Sequence, residues 1–155
     1  VRVVTDSYHH AFERTTKIGS LEIQRYGFAV SKDPPKRTVV SVPDDFEHEQ
    51  AVVYNVKGRG LVIMTSCGHR GIVNSVRSAI RVSGINKIHA VMGGFHLAPH
   101  APEYLRETIA GLKQFNPDFL VPMHCSGEAF ITMAAQEFGP KFIRSSTGSR
   151  FVFSA

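Results

Sequence analysis

Two cysteines, Cys67 and Cys125, are all that the 155 residues contain, too few for a disulfide framework. No apolar run approaches the roughly 18 residues of a membrane-spanning helix, and the N-terminus has no basic stretch leading into an apolar segment and cleavage site. The chain as given is therefore expected to be soluble and, by default, cytoplasmic; an export signal removed ahead of residue 1 would leave no trace. Nowhere do five like charges run together, and no nucleic-acid module is recognisable. The net charge of +5, spread over 18 lysines and arginines, fits an anionic small molecule better than DNA or RNA. A Gly-rich phosphate loop and a Gly-x-Ser-x-Gly elbow are missing too, which leaves nucleotide binding and serine-hydrolase chemistry without support.

What is present is 43% hydrophobic and 20% charged residues, over a length suited to one globular domain with a real core. Aromatic and β-branched residues mark extended segments at Val1–Thr5 and Leu21–Val30, with a further short strand at Thr38–Val40. The Ser31–Arg37 joint contains two prolines and reads as a loop, and Pro43-Asp44-Asp45 reads as a turn. Asp44 and Asp45 could also supply a carboxylate ligand, but the turn explains them without one.

Patterning is stronger from Glu49 onward. Gln50–Val56 and Leu61–Thr65 form a hairpin around Lys57-Gly58-Arg59-Gly60. A helix is expected over Gly71–Ser83, with Ile72, Val73, Val76 and Ile80 on one face and Gly84 as its stop. The strand and helix then recur twice: Ile88–Met92 precedes a helix beginning near Pro102, and Phe119–Pro122 precedes one that buries Phe130, Met133, Ala134 and Phe138 before Gly139-Pro140. Phe142–Ser145 and Phe151–Phe153 read as closing extended segments. Strands alternating with helices predict an α/β layered fold.

Each of the three strands before a helix leads into a histidine: His69 in Ser66-Cys67-Gly68-His69, His96 in Gly93-Gly94-Phe95-His96, and His124 in Met123-His124-Cys125. The carboxyl ends of parallel strands share one rim, where ligands collect. Just before a helix the local potential is positive, which keeps imidazole neutral and able to bind a metal. A lone histidine would be read as a structural hydrogen-bonding residue; three in equivalent positions reverse that reading. His96 suits proton transfer or substrate binding as well. His100 is expected in solvent, His89 in strand packing and His48 at the surface, while the adjacent His9 and His10 carry no assignment. The cysteines beside these histidines are candidate thiolate ligands or a nucleophile, since a helix start lowers a thiol pKa; small buried residues is the favoured reading. They could bridge if their strands are adjacent.

With these segments together, the C-terminal two-thirds resembles the metallo-β-lactamase fold superfamily, in particular the branch named for a dihydropterin-ribofuranosyl-aminobenzene phosphate synthase. The matching stretches are Asp44-Asp45-Phe46 before Glu49-Gln50-Ala51-Val52-Val53, Ser66-Cys67-Gly68-His69-Arg70-Gly71-Ile72-Val73-Asn74, Gly93-Gly94-Phe95-His96-Leu97, and Met123-His124-Cys125-Ser126-Gly127. The resemblance implies an α/β/β/α sandwich with a di-metal site at the rim between its two βα halves. It implies His69 and His124 as ligands to zinc, manganese or iron. His96 would stand beside the metals as a catalytic residue, in hydrolysis of an ester, amide or phosphodiester. The family's His-x-His-x-Asp-His block occurs nowhere in these residues. The chain thus reads as a beginning, 1–41, joined near Ser41-Val42 to an ending, 42–155, within one incomplete domain. An apolar sheet face without its partner layer is expected to drive homo-oligomerisation. The alternative is a catalytically inactive domain kept for binding or self-assembly.

Overall fold

In the computed structural model the described residues are 22–23, 29–30, 46 and 48–155. They fall into two units, Val1–Glu49 and Gln50–Ala155. In the first, β1 (Glu22–Ile23) and β2 (Ala29–Val30) pair antiparallel. His48, expected at the surface, is half-buried, with its ring 6.0 Å from that of Phe46. The extended segments at 1–5 and 38–40, the 31–37 loop, the turn with Asp44 and Asp45, the join near 41–42, His9 and His10 lie outside the described residues.

The second unit is built on a four-stranded sheet in the order β3-β4-β5-β6. β3 (Ala51–Val56) and β4 (Gly60–Thr65) form the expected antiparallel hairpin, whose loop needs Gly58 at φ 76°. β5 (Ile88–Gly94) and β6 (Phe119–Met123) follow in parallel with β4. All of β5 is buried, as a near-continuous apolar run in the middle of a parallel sheet requires.

Three helices pack on one face of the sheet: α1 (Ile72–Ser83) and α2 (Pro102–Lys113) make the β4–β5 and β5–β6 crossovers, and α3 (Glu128–Phe138) follows β6. α1 ends where Gly84 turns left-handed at φ 73° and donates its N–H to the Ile80 carbonyl at 2.8 Å. Ile72, Val76 and Ala79 of α1, Leu105, Ile109 and Leu112 of α2, and Phe130, Ala134 and Phe138 of α3 bury against Leu61, Ile63, Ile88, Val91 and Leu120 of the sheet. Strand alternation sends Val62, Ala90, Met92 and Val121 to the opposite face.

That opposite face is not bare. Ile143, Phe151 and Phe153 pack against it, leaving a cleft of about 460 Å³ bordered by Tyr54, Val62, Met64 and Met92. The C-terminal segments expected to be extended are not strands: one parallel bridge joins Leu120 to Phe142, and Ile143 donates to the Leu120 carbonyl at 2.9 Å. The alternation of Phe151 and Phe153 puts both rings on one side whether or not the backbone joins a ladder, so the pattern alone cannot distinguish a strand from a strap. Among the described residues no helix is long and apolar enough to cross a membrane.

Candidate metal centre

Parallel pairing sets Thr65 opposite Gly93 and Gly94 opposite Met123, so β4, β5 and β6 end on one rim. His69, His96 and His124 each follow one of these ends, as the sequence implied. Their surroundings differ. His69 and His96 are half-buried and meet ring to ring, with centroids 4.3 Å apart and planes at 61°. Both Nδ1 atoms are buried. His124 is exposed and stands with the cysteines instead: its ring nitrogen and the Cys67 and Cys125 sulfurs all lie within 4.8 Å of one another.

The cysteines meet although β4 and β6 are not neighbours. Between them runs β5, and the turns bearing the thiols fold over Gly94. A Cβ on Gly94 would lie 2.3 Å from the Ser66 carbonyl oxygen and 3.0 Å from the Cys125 sulfur, so only glycine leaves room for this approach. Both thiols are free and half-buried. The Cys125 thiol donates to the Cys67 carbonyl at 3.5 Å, and its sulfur accepts the His96 backbone N–H at 3.2 Å. Burial pushes the Cys125 thiol above its ordinary range, neighbouring Cys67 adds to this, and the His96 N–H opposes it. The net direction is opposite to the lowering expected of a cysteine at a helix start, and a protonated thiol is a poor nucleophile.

The loops holding these groups are tied down by polar contacts. Ser126, fully buried, donates to the Met123 carbonyl at 2.7 Å and accepts the Phe95 N–H at 3.2 Å. The Cys125 carbonyl accepts the N–H groups of Leu97 and Ala98 at 3.1 and 3.3 Å. Thr65 donates its hydroxyl to the Gly94 carbonyl at 2.7 Å, joining the β4 and β5 ends. His96 and His124 both have left-handed backbones, at φ 50° and 54°, a conformation histidine adopts at a cost.

From His69 and His96 a second cleft of about 460 Å³ opens between α1 and α2, past Asn74, Arg77, His100 and Tyr104. His100 is exposed, as expected, with its ring 4.5 Å from that of Tyr104. Asn74, the last residue of a matching stretch, and Arg77 received no role from sequence; they share the i, i+3 spacing that aligns them on the polar flank of α1. His89 is 7% exposed and paired with Asp118 at 2.8 Å, remote from this chemistry.

No family model matches the chain. It is 38% identical over 112 residues to the 7,8-dihydropterin-6-methyl-4-(β-D-ribofuranosyl)-aminobenzene-5'-phosphate synthase of Methanocaldococcus jannaschii, covering 72% of this chain and 38% of that protein. It is 30% identical over 143 residues to an uncharacterized protein of the same organism, covering 80% and 52%. The crystal structure of Tm1679, a metal-dependent hydrolase of the β-lactamase superfamily, matches with a TM-score of 0.66 and 26% identity, over 86% of this chain and 46% of that one. The chain thus spans about half, or less, of the length of these relatives. Sequence kinship and a shared arrangement of strands and helices agree: the chain belongs to the metallo-β-lactamase superfamily.

Proposed function

We propose that this chain supplies part of the active site of a metal-dependent hydrolase, with His69 and His124 as metal ligands and His96 as the catalytic residue. The observation that carries this reading is the convergence of all three histidines on the rim where β4, β5 and β6 end. The histidine donors fit a divalent ion by their chemistry, since imidazole suits zinc and iron. When bound, such an ion supplies Lewis acidity and a hydroxide nucleophile at neutral pH. His96 borders the α1–α2 cleft, where it can exchange a proton with a seated molecule or orient it. Arg77, which also lines the cleft, favours an anionic ester, amide or phosphodiester there. The α1 and α2 flanks keep the non-reacting part of the substrate between them.

The test is elemental analysis with native mass spectrometry of the 155-residue chain, followed by an ester and phosphodiester screen. His69→Ala and His124→Ala are each expected to lower metal content, and the double variant nearly to abolish it. His96→Ala should retain metal while losing roughly 10²- to 10⁴-fold in turnover. Unchanged metal in both single variants removes the ligand assignment. A second reading, a binding or self-assembling domain without catalysis, is supported by the absence of a His-x-His-x-Asp-His block from these residues. Its expected result is a metal-free homo-oligomer inactive in the screen.

A further inference from the structure

We infer that Cys67, His124 and Cys125 form a binding site for a soft divalent cation, zinc by its donor set. The inference rests on the functional reading above only through His124, since the two thiols belong to neither of the roles proposed there. The three donor atoms already lie within 4.8 Å of one another. Zinc bound at roughly 2.3 Å to sulfur and 2.0–2.1 Å to nitrogen places these donors about 3.5–3.8 Å apart, so closing the set takes movements on the order of 1 Å. His124 is exposed, which leaves a side open for a fourth ligand.

Features around the cluster fit thiolates held for a metal. The His96 N–H aimed at the Cys125 sulfur stabilises negative charge there. Gly94 admits both cysteine turns, and the Cys125 carbonyl anchors Leu97 and Ala98 against them. Binding exchanges two thiol protons, released to solvent, for one dication, so the two thiolates balance its charge and no electron is transferred.

Cobalt(II) titration of the reduced 155-residue chain, followed by absorption spectroscopy, tests this. The expected result is a near-ultraviolet thiolate-to-cobalt charge-transfer band that saturates at stoichiometric metal. Cys67→Ser and Cys125→Ser should each remove about half of its intensity. Each should also weaken cobalt binding by more than the roughly 10- to 100-fold that loss of an outer-shell partner costs. Cobalt bound with ligand-field bands but no charge-transfer band in the wild-type chain overturns the cysteine site and leaves the His69 assignment standing. The band present, with metal content unchanged in His69→Ala, supports the cysteine site and removes His69 from the ligands. Failure of the chain to bind cobalt overturns the cysteine site as well. Because the wild-type spectrum decides, a serine variant that fails to fold does not rescue the inference.

Discussion

His89 and His124 both sit on the sheet's parallel strands or at their ends, yet one is buried against a carboxylate and the other faces outward. The His89 ring contacts the Asp118 carboxylate at 2.8 Å, and Lys87 pairs with the same group. Burial would raise the Asp118 pKa, but hydrogen bonds from Lys87 and His89 outweigh it and hold the carboxyl below its ordinary 3.8. A carboxylate depressed in the folded state contributes stability above its unfolded pKa and loses it as pH falls through the folded value. Asp118→Asn is therefore expected to cost about 1 kcal/mol at neutral pH, given the partial exposure of the group. The difference from wild type should shrink below about pH 4. Urea unfolding at neutral and acid pH checks both statements. Single residues at the rim were legible in sequence because each histidine closes a strand pattern. The company each one keeps was not, because ring pairing depends on loop geometry that no periodicity encodes.

Helices were the most readable elements. Spacing of Leu105, Ile109 and Leu112 places α2, and Phe130, Ala134 and Phe138 place α3, because a 3.6-residue period leaves a mark in any window of that length. The last segment escaped because its apolar residues pack without pairing. α3 also reaches the chemistry indirectly: Phe130 is fully buried, with its ring 5.8 Å from Phe95, the neighbour of His96. Phe130→Ala should destabilise the second unit by about 3–5 kcal/mol. It should also loosen His96, so that any turnover falls further than the loss of folded protein explains. Thermal unfolding beside activity per folded molecule separates the two effects.

Across the whole molecule, topology does what motif spacing cannot. His69, His96 and His124 could be assigned to one rim from the strand–helix alternation, whereas the meeting of Cys67 with Cys125 required knowing that Gly94 lies between them and has no side chain to obstruct it. Sequence alone allows a bridge between Cys67 and Cys125 only across adjacent strands; the thiols instead meet across a third. The partial cover on the second sheet face was hidden for a related reason, since the segment lying over it carries no repeating pattern beyond two phenylalanines.

His124 keeps a left-handed backbone at φ 54° while its side chain stands exposed, so it receives little packing in return for the strain. Such a residue costs about 1 kcal/mol relative to glycine. His124→Gly should therefore raise the melting temperature of the metal-free chain by roughly 2–8 °C, measurable by calorimetry in the presence of a chelator. The rim is where this fold gives up thermal robustness to keep the proposed donor in place. Selection for heat resistance alone would erase His124 early, and a stabilised variant of this protein would be expected to lose the proposed metal ligand before it lost its shape.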